Sequence, residues 1–69
     1  MDIRDVKKSL NREVQFGDGR YIFAGCIIRR HKMTQQFYYE AELHDIYNGG
    51  WVVYCPLREV KTNDNSKRT

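Results

Sequence analysis

The sequence predicts an all-β domain of five short strands that close into a small barrel. The strongest observation is residues 36–45, QFYYEAELHD, in which apolar and polar side chains alternate at period two. Glycine-rich or proline turn signals also separate several short apolar runs. At 69 residues the chain is long enough for one domain only. We therefore assign residues 1–61 to the domain and expect residues 62–69, which are polar and aperiodic, to form a disordered tail.

The alternating run in residues 36–45 indicates a strand with one buried face and one solvent-exposed face. Phe37, Tyr39, Ala41 and Leu43 fall on one side, and the polar residues fall on the other. We expect the apolar side to be the buried one.

Two strands are expected before this run. Residues 12–16 form a short first strand, and the sequence Gly17-Asp18-Gly19 follows as a tight turn. Residues 20–30 form the second strand, whose centre is apolar on both faces. We expect a bulge or a barrel corner at Gly25, where a valine would cost well over ~1 kcal/mol.

Two further strands are expected after it. Residues 31–35 form a polar loop, and Asn48-Gly49 is a favoured hairpin dipeptide ahead of a fourth strand at residues 51–55. Pro56 ends that strand because it lacks a backbone N–H. Residues 56–58 fit a 3₁₀ turn, and residues 59–61 form a brief last strand.

The N-terminal segment predicts a short helical turn. Asp2 is a suitable N-cap for residues 2–10. Ile3, Val6 and Leu10 recur at helical spacing, so we expect them to dock on the sheet.

Residues 12–61 resemble the SH3-like barrel group in their long second strand, their distal hairpin and their Pro-Leu-x-x-Val ending. The combination GCIIRR, FYYEAELHD and VVYCPLREV is also similar to small uncharacterised proteins encoded in phages and conjugative elements of Gram-positive bacteria. That resemblance implies no catalytic residues. An oligonucleotide-binding barrel, which usually needs a longer chain, ranks second.

The charge of the chain is concentrated in its tail. The formal net charge is +3, of which residues 61–69 carry +2 and residues 1–60 carry +1. A nearly neutral body can bind nucleic acid only if its basic residues are segregated on one surface. No apolar run approaches the ~18 residues of a membrane span. The start of the sequence lacks a signal-peptide core, so we expect a cytoplasmic protein.

No cofactor or metal site is expected. Cys26 and Cys55 have neither metal-ligand spacing nor redox-motif spacing, and two small buried thiols are the favoured interpretation. Whether they lie close enough to pair stays open at this point.

An enzyme is not favoured either. His31 and His44 have no adjacent nucleophile, and Glu40 and Glu42 share a strand face about 7 Å apart. On an exposed sheet such carboxylates are usually solubilising, so we expect no catalytic residues.

The aromatic residues favour a protein-binding module. Tyr21, Tyr38, Tyr47, Trp51 and Tyr54 are too many for the interior of so small a barrel. Tyrosine and tryptophan are common interface anchors, so we assign protein binding to Tyr38, Tyr47, Trp51 and Tyr54. Burial of Trp51 as a cap on the barrel is an equal alternative for that residue. A homodimer through an open strand edge is a further possibility.

The alternative function is nucleic-acid binding at the end of the hairpin between strands two and three. Its residues are Arg29, Arg30 and Lys32, with Lys67 and Arg68 of the tail. Two features oppose it: consecutive strand residues face opposite sides, and Glu40 and Glu42 lie nearby.

Overall fold

The computed structural model describes residues 1–48 and 50–62, and these fold around one antiparallel sheet of five strands in the order β4-β3-β2-β1-β5. The strands are β1 (Glu13–Phe16), β2 (Gly19–Arg30), β3 (Phe37–Asp45), β4 (Val52–Pro56) and β5 (Lys61–Thr62). The predicted all-β class and the predicted order of the elements are confirmed. The predicted tail, residues 62–69, falls outside the described residues except for Thr62.

The N-terminal segment is a 3₁₀ turn, Ile3–Asp5, followed by the single-turn helix α1, Val6–Ser9. Asp2 caps it as predicted, because its carboxylate accepts a hydrogen bond from the Arg4 backbone N–H at 2.8 Å. The predicted docking face is only partly correct: Val6 packs against the core, but Ile3 and Leu10 are exposed.

The β1–β2 connection is the predicted tight turn. Phe16 pairs with Gly19, and Gly17 adopts a positive φ of 59°. A left-handed backbone at this position favours glycine, which has no Cβ to clash.

A bulge in β2 explains why the centre of that strand is apolar on both faces. Phe23 pairs with Leu43 and Gly25 pairs with Glu42, so the register leaves Ala24 as the extra residue. Phe23 and Cys26 are three positions apart and would otherwise face opposite sides. Because the extra residue Ala24 shifts the alternation by one position, Phe23 and Cys26 face the same side. Phe23 belongs to the core, and Cys26 packs against it.

The predicted bulge lies beside Gly25, but Gly25 itself is not closely packed, and the cost of a valine there stays a prediction. A Cβ built at this glycine meets only the Glu42 side chain, at 3.9 Å, which is ordinary van der Waals contact. The bulge therefore sits next to Gly25 without depending on it.

The core comprises one fully or nearly fully buried cluster drawn from all the major strands and the 3₁₀ turn: Val14, Phe23, Ala41, Leu43, Cys55, Leu57 and Val60. In β3 only Ala41 and Leu43 belong to it. Phe37 is 66% exposed and Tyr39 is 36% exposed, although they lie on the same side of the strand. The expectation that this whole side is buried is therefore half wrong, because the core stops at Ala41.

The barrel is not closed, which corrects the prediction. β4 ends at Pro56, the 3₁₀ turn Leu57–Glu59 follows, and β5 then pairs with β1 at the far side of the sheet. β5 has only two residues, Lys61 and Thr62, opposite Gln15 and Val14. So short a strand leaves β4 at the other edge without a second neighbour among the described residues.

Candidate protein-binding surface

The end of the β2–β3 hairpin projects beyond the core. Its register pairs Ile28 with Tyr39, Arg29 with Tyr38, and Arg30 with Phe37. β4 does not reach this far, because its last pair joins Pro56 to Glu40. The hairpin end therefore has the backbone order of a sheet but little of the packing of a core.

One side of the hairpin end continues the core-facing side of the sheet. Ile28, which is 65% exposed, lies on this side with Phe37 and Tyr39. The Arg30 guanidinium carbon lies 5.6 Å from the centre of the Phe37 ring, a cation–π arrangement. This side is thus an exposed apolar strip with one cation.

The opposite side of the hairpin end carries an ion pair that is flanked by two tyrosines. The Arg29 guanidinium donates to the Glu40 carboxylate at 2.5 Å. This hydrogen bond raises the pKa of Arg29, and the nearby charge of Glu40 and the phenols of Tyr38 and Tyr54 add to the effect. Tyr38 and Tyr54 are both exposed, so two of the four predicted protein-binding residues lie around one charged pair.

The loop between the strands is held by its own hydrogen bonds. The His31 N–H donates to the Gln36 carbonyl at 2.8 Å, and the Gln35 N–H donates to the His31 carbonyl at 2.8 Å. The His31 ring nitrogen Nδ1 accepts from the Met33 N–H at 3.2 Å. The loop therefore presents Met33, which is 85% exposed, from an ordered backbone.

The other two predicted protein-binding residues lie elsewhere. Tyr47 and Trp51 belong to the connection from β3 to β4, and Trp51 accepts a backbone hydrogen bond from Asp45 at 3.1 Å. Tyr38 and Asp45 are seven residues apart along β3, or about 23 Å. The four aromatics thus form two separate groups, Tyr38 with Tyr54 and Tyr47 with Trp51.

Trp51 does not cap the core. It is 69% exposed, so the buried alternative for this residue is wrong. Tyr47 is also exposed, and its hydroxyl lies 3.4 Å from the Arg20 guanidinium. The Asp45 carboxylate shapes this connection by accepting from the Tyr47 and Asn48 N–H groups at 2.7 and 3.0 Å. Gly49 of the predicted Asn48-Gly49 turn lies outside the described residues.

Two of the basic residues of the alternative function point in different directions. Arg29 and Arg30 face opposite sides of the hairpin, and the Arg29 charge is held by Glu40. Lys32 is exposed on the loop. Lys67 and Arg68 lie outside the described residues.

The candidate acid–base residues each have a separate neighbour. The Glu42 carboxylate lies 2.8 Å from His44 Nε2, whereas Glu40 is paired with Arg29. Among residues 1–48 and 50–62, no group of three or more His, Cys, Asp or Glu side chains could hold a metal ion.

Cys26 and Cys55 are free thiols on either side of Ala41, with which both pair. Two strand spacings separate them by about 9.6 Å between Cα atoms, beyond the ~7 Å limit for a disulfide. Burial raises the pKa of both thiols.

A groove borders the hairpin end on the side where β4 stops. Its volume is about 600 Å³. The residues lining it come from the N-terminus, from His31 and Thr34 of the β2–β3 loop, from residues 36–40, and from residues 56–58. The Met1 backbone nitrogen donates to the Leu57 and Val60 carbonyls at 3.0 and 2.6 Å, which holds the N-terminal wall in place.

Sequence reasoning missed Ile28, Phe37, Tyr39 and this groove. Alternation predicts Phe37 and Tyr39 to be buried, because it reports which side a residue faces and not whether anything covers that side. The available signal was length, since the predicted strand at residues 20–30 is much longer than the other predicted strands, so its far end has little of the sheet beside it.

Comparisons with protein families, with curated proteins and with solved structures give no match for this chain. Within the described part of the chain, no helix is long and apolar enough to span a membrane.

Proposed function

We propose that this protein is a non-enzymatic binding module that engages a protein partner through the end of its β2–β3 hairpin. The observation that carries the proposal is the exposure of large apolar side chains on a segment with an ordered backbone. These side chains, which we call the hairpin surface, lie on both sides of the hairpin end: Ile28, Phe37 and Tyr39 on one side, Tyr38 on the other, and Met33 on the loop.

The composition of the hairpin surface supports a protein partner. Aromatic residues, methionine and arginine are enriched at protein interfaces, and this surface combines three aromatics and a methionine with Arg30 stacked on Phe37. An ordered hairpin also loses less conformational entropy on binding than a flexible loop would.

The strand order supports an SH3-like arrangement as part of the proposal. In SH3-like domains the last strand follows a 3₁₀ turn and pairs with the first strand. β5 has the same position here, although the sheet stays open. The resemblance to proteins of phages and conjugative elements makes a Gram-positive bacterium the cell of choice for testing the function.

Photo-crosslinking in such cells tests the proposal. We would place p-benzoylphenylalanine at Phe37 and, as a matched control, at Trp51, because the two side chains are almost equally exposed at opposite ends of β3. The expected result is a protein adduct from position 37 and none from position 51. Adducts from position 51 alone would contradict the proposal and favour the Tyr47–Trp51 group.

Nucleic-acid binding is the alternative, and salt dependence separates it from protein binding. Contacts from Arg30 and Lys32 to phosphates would weaken steeply as salt rises. We expect no salt-sensitive binding of labelled DNA or RNA by the chain truncated after Thr62. Micromolar, salt-sensitive binding that Phe37→Ala reduces would place nucleic acid on the hairpin instead.

A further inference from the structure

β3 has an open backbone edge at the hairpin end. Its pairing with β4 stops at Glu40, and residues 57–59 form a 3₁₀ turn instead of continuing the strand. Phe37, Tyr38 and Tyr39 therefore have β2 on one side and no strand on the other, within the described part of the chain.

The hydrogen-bond alternation shows which backbone groups point to this open edge. At the hairpin end the His31 N–H bonds the Gln36 carbonyl, so even-numbered β3 residues point toward β2. At the other end the Asp45 N–H bonds the Trp51 carbonyl, so odd-numbered residues point toward β4. Beyond the end of β4, the N–H and C=O groups of Phe37 and Tyr39 consequently point toward the groove.

The groove provides side-chain contacts next to these backbone groups. Leu57 is buried beneath it, while Met1, Ile3 and Tyr39 line it with apolar surface. A volume of about 600 Å³ holds several residues of an extended peptide. Backbone pairing would supply affinity there, and the apolar lining would select alternate side chains.

The charge around the groove selects an acidic occupant. Both carboxylates that line it are already paired, Asp2 with Arg4 at 2.9 Å and Glu40 with Arg29 at 2.5 Å. Arg58 also lines the groove, and no carboxylate of the described residues forms an ion pair with it. The uncompensated charge is therefore positive.

We propose that the open edge of β3 binds an extended peptide by strand addition, and that this peptide carries alternating apolar residues and at least one carboxylate facing Arg58. The inference rests on the proposed function, since it specifies how the hairpin surface would engage a protein partner. It adds a backbone site that a contact by side chains alone would not use.

Selection from a phage-displayed library of random heptapeptides on the full chain tests the inference. We expect enriched peptides to alternate apolar residues and to contain Asp or Glu. Their affinity, measured by fluorescence anisotropy on synthetic copies, should fall roughly tenfold or more for Tyr39→Pro and for Arg58→Glu, a loss of at least ~1.4 kcal/mol.

Proline at position 39 removes the N–H that points into the groove while sparing the bonds to β2. The matched control is Tyr54→Pro, because the Tyr54 N–H points away from β3 at the outer edge of β4. That control should keep peptide affinity within about threefold. Because Tyr39→Pro also removes a side chain of the hairpin surface, a synthetic chain with an N-methylated Tyr39 amide is measured as well: it blocks the same N–H, keeps the ring and should lose affinity to the same extent.

The outcomes distinguish the inference from the function on which it rests. Peptides that lose affinity with Tyr38→Ala but not with either block at Tyr39 would overturn strand addition and leave the hairpin surface as the binding site. No enriched peptide would overturn the inference, whereas absence of the Phe37 crosslink would overturn the proposed function. A dimer that Tyr39→Pro dissociates would assign the edge to a second copy and would also overturn it.

Discussion

Asp2 is the residue whose ionisation the fold changes most clearly. The hydrogen bond from the Arg4 side chain, helped by the Arg4 backbone N–H, lowers the pKa of Asp2 from 3.8 to about 2. A depressed pKa in the folded state means that the carboxylate stabilises the N-terminal turn above its unfolded pKa of ~3.9 and loses that effect as pH falls toward 2.

The titration of Asp2 should therefore depend on Arg4. We expect the Asp2 carboxyl carbon, followed by NMR, to titrate with a midpoint near 2 and to move toward the ordinary value in Arg4→Gln. The N-terminal turn should fray between about pH 4 and pH 2, with no change near neutrality. An unchanged midpoint in Arg4→Gln would show that the ion pair does not hold the carboxylate.

At the scale of one residue, the sequence predicted what local chemistry determines. The Asp2 cap and the Gly17 turn depend on a few neighbouring backbone groups, and both are confirmed. The docking of Ile3 and Leu10 and the buried alternative for Trp51 depend on distant partners. The docking prediction is only partly correct, and of the two alternatives for Trp51 the structure shows the exposed one.

At the scale of the element, β3 is one strand in two environments. Leu43 is fully buried, whereas Phe37, on the same side six residues earlier, is 66% exposed. The strand was predictable because alternation and flanking turns are local signals. The limit of its buried part was not predictable, because burial depends on which other parts of the chain pack on that side of the strand, and the buried cluster stops at Ala41.

Two truncations in β3 should consequently differ in cost. Leu43→Ala removes core packing and should lower the free energy of unfolding by about 2–5 kcal/mol. Phe37→Ala removes an exposed ring and one cation–π contact, and should cost about 1 kcal/mol or less. Urea unfolding followed by circular dichroism measures both, and equal costs would show that the hairpin end belongs to the core.

The β2 bulge shows the same division between local and distant causes. The sequence located an irregularity near Gly25, since apolar residues occupy both faces there. The structure shows that the irregularity resets the alternation at Ala24, whereas Gly25 has room for a side chain. The apolar composition of the strand indicated where the bulge lies, and only the pairing register with β3 shows that Ala24 is the extra residue that causes it.

At the scale of the whole molecule, the open sheet follows from the lengths of its strands. β2 has twelve residues and β3 has nine, but β4 has five and β5 has two. The two central strands therefore outrun their neighbours, and the excess forms both the hairpin surface and the edge beside the groove. The prediction of closure was wrong because closure also requires β5 to pair with β4, and β5 has only two residues, which pair with β1.

Amide hydrogen exchange, resolved by NMR along β3, tests this account most directly. The Tyr39 N–H should exchange much faster than the N–H groups of Tyr38 and Glu40, which bond to β2, and faster than that of Ala41, which bonds to β4. Protection of Tyr39 equal to that of Ala41 would mean that the edge is already covered, and it would contradict the claim that the hairpin end is open to a partner.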